Sequence, residues 1–133
     1  MTGEFMDSRS NPADAAPTTG AAIVLYCDLK VDPAREREML DHFHSRFKPV
    51  GASFTGFIDV KMVRLRTLIQ GAKLADGVNY RFQLTYESED LRQIWVASPE
   101  HAEVWAGIET CLTDKSFHVS LWDDAALPPQ PAA

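Results

Sequence analysis

The chain has 133 residues, of which 45% are hydrophobic and 24% are charged, and its formal net charge at pH 7 is -6. A chain of this length and composition is typical of one globular domain with its own core. The negative charge argues against a general nucleic-acid binder, because such proteins need clustered positive charge to replace the counterions of phosphates. No stretch approaches the roughly 20 apolar residues that span a bilayer. The N-terminal residues also lack the apolar segment of a signal peptide. We therefore expect a cytoplasmic protein with no nucleic-acid or membrane partner.

Cysteine usage and motif content give no indication of a metal or a cofactor. Cys27 and Cys111 lie in apolar runs and form no CxxC pair, so they are interpreted as buried reduced thiols. The sequence has no glycine-rich phosphate loop, nucleophile elbow or metal-ligand spacing. We expect no metal site and no bound cofactor.

Three segments are expected along the chain. Residues 1–20 are polar, rich in Ala and without periodicity, which predicts a flexible N-terminal arm. Residues 125–133 are rich in Pro and Ala and predict a flexible C-terminal tail. The folded domain is therefore expected at 21–124.

The first half of this domain begins with a strand and a helix. Residues 23–30 alternate in polarity and predict a strand with Ile23, Leu25, Cys27 and Leu29 on one face. Asp32 and Pro33 are a typical helix start. The helix is expected to reach Phe47 and to be broken by Pro49 and Gly51. Two strand-like runs, 54–68 and 78–87, follow around a turn at 70–77 and predict a hairpin.

The second half contains two capped helices and a last strand. Ser88 is an expected cap for a helix that reaches about residue 97 and buries Leu91, Ile94 and Trp95. Ser98 followed by Pro99 is the expected start of the next helix. Residues 116–123 alternate again and predict the last strand.

The element order predicts an α+β fold of the ferredoxin-like type, with a four-stranded antiparallel sheet and helices on one face. The face of the sheet away from the helices is expected to be too apolar for a monomer. We therefore expect two sheets to pair face to face in a homodimer. The residues expected on that face are Tyr26, Val60, Met62, Gln83, Thr85 and Trp122.

Residues 86–105, YESEDLRQIWVASPEHAEVW, resemble the third strand and helix pair of the antibiotic biosynthesis monooxygenase family. The first strand and its Asp32-Pro33 helix start also resemble that family. The resemblance implies a homodimeric α/β-barrel with a pocket between sheet and helices in each monomer. Characterised members include cofactor-independent oxygenases of aromatic polyketides and quinols, and haem-degrading enzymes.

The chain departs from both of these groups of enzymes at specific positions. Where haem-degrading members have an Asn and a His, this chain has Leu25 and Trp105, which can neither ligate iron nor replace the Asn hydrogen bond. Haem degradation is therefore disfavoured. Where the polyketide oxygenases have an Asn and a Trp four residues apart, this chain has Phe82 and Tyr86.

Tyr86 and His101 are the candidate catalytic residues. His101 follows the Ser98 cap and is either a general base at a pocket rim or an exposed first-turn residue. Tyr86 ends the third strand on the helix side and either binds a phenol or is a buried tyrosine with a bonded hydroxyl. The candidate substrate-binding residues could line an aromatic pocket or form plain core; they are Phe43, Phe82, Trp95 and Trp105.

Three functions remain open from the sequence. The leading hypothesis is a cofactor-independent monooxygenase for a small aromatic or quinoid molecule, in which a base generates an anion that reacts directly with oxygen. The second is a non-catalytic ligand-binding or structural homodimer. The third is a cyclase or isomerase for a related aromatic intermediate, which would use the same pocket without oxygen.

Overall fold

The computed structural model describes residues 22–125. The expected arm at 1–20 and all of the expected tail except Ala125 lie outside the described residues. Within 22–125 the chain forms a four-stranded sheet and a layer of helices. The strands are β1 (Ile23–Leu29), β2 (Phe57–Arg64), β3 (Tyr80–Tyr86) and β4 (His118–Asp123), and the helices are α1 (Glu36–His42), α2 (Lys48–Ala52), α3 (Glu89–Val96) and α4 (Pro99–Glu109).

The sheet is antiparallel throughout, with the strand order β2-β3-β1-β4. This order and the helices between the strands are those of an α+β ferredoxin-like fold, as predicted. The alternation predicted for β1 is confirmed, since Ile23, Leu25, Cys27 and Leu29 are all buried under the helices. β2 and β3 are shorter than predicted, so residues 65–79 form a longer connection between them.

The predicted outward face of β2 is wrong at two positions. Val60 pairs with Leu84 and Met62 pairs with Phe82, so both point toward the helices rather than toward the open face. The cause is a register shift between Phe57 and Asp59, which adds a residue and reverses the alternation that follows. The open face instead receives Asp59, Lys61 and Val63 from this strand.

The first helix is longer than predicted because a π-helical segment joins its two parts. Residues Phe43–Phe47 have π geometry, and the Lys48 N–H donates to the carbonyl of Phe43. Pro49 is the second residue of α2, and the chain stays helical through it. The helix therefore passes the predicted break and ends at Ala52.

The caps predicted for α3 and α4 are confirmed. The Ser88 hydroxyl accepts from the Leu91 N–H at 3.2 Å, and the Ser98 hydroxyl accepts from the His101 N–H at 3.1 Å. The predicted burial of Ile94 is wrong, because this side chain is 62% exposed. The inner face of α3 carries Arg92 and Trp95, three residues apart, and this places Ile94 on the outer side.

Candidate functional site

Tyr86 lies at the end of β3, paired with Ile23 on one side and Phe57 on the other. Its side chain is 0% exposed, and its hydroxyl has no hydrogen-bond partner among residues 22–125. Burial raises the pKa of Tyr86 to about 12, against the opposing effect of the Arg92 cation. At neutral pH the phenol is therefore protonated and able to donate a hydrogen bond to a bound group.

His101 lies in the first turn of α4 and is 1% exposed, so the alternative of an exposed first-turn residue is wrong. Its imidazole packs against Trp95, with ring centroids 5.0 Å apart. Nε2 has no hydrogen-bond partner within the described part of the chain. Burial, assisted by the Arg92 cation, lowers the pKa of His101 to about 4. The imidazole is therefore neutral at pH 7 and has a nitrogen able to accept a proton.

Arg92 is a component of this site that the sequence reasoning missed. Its side chain is 1% exposed, and its Nε and Nη2 atoms each donate to the Glu89 carboxylate at 2.6 Å. The guanidinium lowers the pKa of Tyr86 and also that of His101, so one buried cation acts on both candidate residues. The spacing of Glu89 and Arg92, three apart on a helix, is a signal that indicates an ion pair but not its burial.

The four candidate substrate-binding residues are brought together in one aromatic layer between the sheet and the helices. Phe47 lies between them, with its ring centroid 5.3 Å from Phe82, 5.8 Å from Trp95 and 6.2 Å from Trp105. Phe43 joins the layer through Phe47 at 5.9 Å. All are almost completely buried, as residues of a packed core are. The Nε1 atom of Trp105 has no hydrogen-bond partner in residues 22–125.

Two surface cavities lie elsewhere on the domain. One of about 670 Å³ lies on the open face of the sheet, and one of about 310 Å³ lies beside it, against the connection between β2 and β3. The six candidate site residues line neither of these cavities. The aromatic layer is closed in this conformation, because its side chains are almost completely buried.

Between residues 22 and 125, no three His, Cys, Asp or Glu side chains are grouped so that they could hold a metal ion. No helix in this part of the chain combines the length and apolar character needed to cross a bilayer.

The fold is similar to solved structures of low sequence identity. A candidate antibiotic biosynthesis monooxygenase from Caulobacter crescentus superimposes with a TM-score of 0.64 at 17% identity, over 80% of this chain and 92% of the other. A variant of SnoaB, a cofactor-independent oxygenase from Streptomyces nogalater, gives a TM-score of 0.62 at 15% identity, over 83% and 99%. A dimeric ferredoxin-like protein of unknown function from Jannaschia gives 0.62 at 10% identity, over 75% and 96%.

Comparison by sequence identifies no relative of the chain. No protein-family model matches the chain, and no curated protein matches it. At 10–17% identity the structural likeness shows the fold and not the reaction. The chain thus has a ferredoxin-like fold that it shares with an oxygenase and with proteins of unknown function.

Proposed function

We propose that the protein is a cofactor-independent monooxygenase that acts on a small aromatic or quinoid molecule, and that it works as a homodimer. The observation that carries the proposal is the pair of buried groups without partners in residues 22–125, the Tyr86 hydroxyl and His101 Nε2. A buried polar group left unbonded costs about 1–3 kcal/mol, so native proteins keep few of them outside functional positions. Here one buried cation acts on both groups, and an aromatic ring packs against each, Phe57 against Tyr86 and Trp95 against His101.

These groups match the requirements of direct oxygenation of a phenol. The neutral imidazole of His101 accepts the phenolic proton at Nε2, and the phenolate that forms beside it offsets the burial that otherwise lowers the pKa of His101. The Tyr86 hydroxyl donates to that oxygen anion. The nearby guanidinium of Arg92 favours that anion electrostatically. The ring carbon of the anion then reacts with O₂ to give a peroxide, which loses water to give a quinone. One oxygen atom enters the product and the other leaves as water, so the substrate supplies all four electrons.

The closed aromatic layer sets a condition on this reaction. Phe43, Phe82, Trp95 and Trp105 are buried against one another, so a substrate enters only when the helical layer separates from the sheet. The π-helical segment Phe43–Phe47 contributes two rings to the layer, and such segments are frequent at functional sites. We expect opening to begin there.

The structural neighbours support this assignment at the level of the fold. SnoaB is a cofactor-independent oxygenase by name and aligns over 83% of this chain.

A second function, a non-catalytic ligand-binding or structural homodimer, is favoured by the burial of all six candidate residues outside both cavities. The two hypotheses differ in whether oxygen is consumed.

The test is oxygen uptake with 1-naphthol. Its oxygenation to 1,4-naphthoquinone and water consumes one O₂ per molecule. We expect uptake by the full chain, and one labelled atom in the quinone when ¹⁸O₂ is supplied. His101→Ala should lower turnover by roughly 10²–10⁴-fold, as for the loss of a positioned base. Tyr86→Phe should lower it too, since it removes only the hydroxyl.

Matched control variants distinguish the loss of a catalytic group from a general effect of substitution on turnover. His44→Ala removes an exposed histidine of the same chain, and Tyr80→Phe removes a hydroxyl that donates to Glu36. Both should retain turnover. Binding of naphthol without oxygen uptake would favour the non-catalytic dimer, and conversion of a phenolic substrate under anaerobic conditions would favour a cyclase or isomerase.

A further inference from the structure

Trp105 carries a buried polar group that the proposed reaction has not used. Its side chain is 1% exposed, and its Nε1 has no hydrogen-bond partner in residues 22–125. The indole Nε1–H donates a hydrogen bond and accepts none, so an acceptor atom is needed to satisfy it. Few buried donors in folded proteins are left without an acceptor, because the loss of hydration is not compensated. The position of this donor is therefore compared with the steps of the reaction.

The aromatic rings around this indole form an apolar surrounding. The ring centroids of Phe47, Phe82 and Phe117 lie 5.6 to 6.2 Å from that of Trp105. An aromatic face is at most a weak acceptor for an N–H group. These rings therefore suit O₂, which is an apolar molecule, and they leave the N–H able to donate to an anion that forms beside it.

Trp105 lies on the same face of α4 as the proposed base. It follows His101 by four residues, and the two rings are parallel. Four residues of α-helix advance about 6 Å along the helix axis. This length is comparable to the distance from a phenolic oxygen, across its ring, to an atom bonded to the opposite carbon. A phenol held at His101 can therefore direct its opposite ring carbon toward the indole.

The proposed reaction places negative charge at two positions in turn. Proton transfer to His101 first leaves the charge on the phenolic oxygen, where the Tyr86 hydroxyl donates. The ring carbon opposite that oxygen then bonds to one atom of O₂, and the two electrons that the ring supplies leave a peroxide anion. The proton on His101 converts this anion to a hydroperoxide. Loss of the C–H proton breaks the O–O bond, and the hydroxide that leaves takes that proton and becomes water.

We propose that Trp105 is a further catalytic residue, whose Nε1–H donates to the peroxide anion that forms at the ring carbon opposite the hydroxyl. The role rests on the proposed function, because the anion arises only if O₂ reacts with the bound phenolate. Tyr86 serves the first position of the charge, and Trp105 serves the second. A fixed donor at the site of developing charge lowers the barrier of the step that creates the charge.

The kinetic experiment varies the oxygen concentration at saturating 1-naphthol. Trp105→Phe keeps an aromatic ring and removes the N–H. We expect kcat/KM for oxygen to fall by about 10²-fold, as for the loss of one donor to a developing anion. The Kd of 1-naphthol, measured by calorimetry under argon, should change by less than about threefold, since the N–H has no partner on this phenol. A loss of packing alone would weaken naphthol binding as well.

A matched variant and a stable mimic complete the test. Trp95→Phe makes the same replacement in the same aromatic layer, where Trp95 packs against His101, and should lower kcat/KM for oxygen far less. In 4-nitro-1-naphthol, nitro oxygens occupy the place of the peroxide. The chain has three Trp residues, so Trp95→Phe and Trp122→Phe identify the Trp105 Nε1–H signal in a ¹H–¹⁵N NMR spectrum by elimination, even if Trp105→Phe does not fold. Under argon, the nitro compound should move this signal to higher ¹H frequency, and 1-naphthol should not.

Two results would overturn the role of Trp105 alone. One is oxygen uptake with the same kcat/KM for oxygen in Trp105→Phe as in the wild-type chain. The other is bound 4-nitro-1-naphthol that leaves the Trp105 signal where it is. The absence of oxygen uptake by the wild-type chain would instead contradict the proposed function, and the role of Trp105 with it.

Discussion

The imidazole of His101 lies parallel to the indole of Trp105, with ring centroids 6.3 Å apart and ring planes 6° apart. Both side chains are buried, so water cannot solvate an imidazolium at this position. Burial, together with the Arg92 cation, therefore holds the pKa of His101 at about 4. The native state keeps this histidine neutral over the whole physiological range of pH.

The depressed pKa of His101 predicts a specific dependence of stability on pH. Below an unfolded-state pKa of about 6.5 the unfolded chain binds a proton at His101, whereas the native chain does not until about pH 4. Stability from this group is therefore complete above pH 6.5 and is lost as the pH falls toward 4. The loss amounts to at most roughly 3 kcal/mol. Urea unfolding at pH 7, 6, 5 and 4 should show a steeper decline for wild type than for His101→Phe, and parallel curves would contradict this.

Replacement of Arg92 by methionine should shift the pKa values of two buried groups. The guanidinium lowers the pKa of both Tyr86 and His101, so Arg92→Met should raise both pKa values. The pKa of His101 can be followed through the chemical shift of its Cε1–H during an NMR titration. Arg37→Met, at an exposed position on α1, should leave it unchanged. A fall or no change in the His101 pKa in Arg92→Met would show that the cation does not act on it.

Gly56 should tolerate substitution poorly for two independent reasons. Its φ angle is +93°, and a Cβ added there would lie 2.6 Å from Leu91 Cδ1 and 2.8 Å from Leu91 Cβ. Gly56→Ala should lower the free energy of unfolding by about 2–4 kcal/mol, from backbone strain and overpacking together. Gly71 has a φ of +105° but no atom within 4 Å of an added Cβ. Gly71→Ala should therefore cost only about 1 kcal/mol, and equal losses in urea unfolding would argue against the contact with Leu91.

The open face of the sheet predicts the assembly state. Thr85 lies on the inner strand β3, between Val24 of β1 and Asp59 of β2, near the middle of that face. If two sheets pair there, light scattering should give a mass near twice 14.8 kDa at micromolar concentration. Thr85→Lys should shift the mass to that of a monomer, because it buries a charge in the interface. Ile94→Lys, on the exposed side of α3, should remain dimeric. A monomeric wild-type chain would end the dimer proposal.

Local patterns in the sequence were sufficient to predict most of the fold. The alternation of β1 and β3, and the caps Ser88 and Ser98, are properties of short segments, since strand period and capping geometry depend on neighbouring residues. The element order then leaves few sheet topologies open, and the observed one is the ferredoxin-like arrangement. The candidate residues Tyr86, Trp95 and Trp105 were placed correctly on the helix side by the same periodicities.

Only the tertiary structure decided what surrounds those residues. The register shift after Phe57 reversed the outward face of β2, and no local pattern marks it, because a bulge is defined by pairing with β3. Arg92 and His101 are polar residues of helices that sequence reasoning places in solvent by default, yet packing between distant segments buries both. The same holds for the Asp28–Arg81 pair, whose members are 53 residues apart and meet through strand register. The periodicity of apolar residues indicated which residues of a strand or helix share a face. Long-range packing determined which other segments each face contacts.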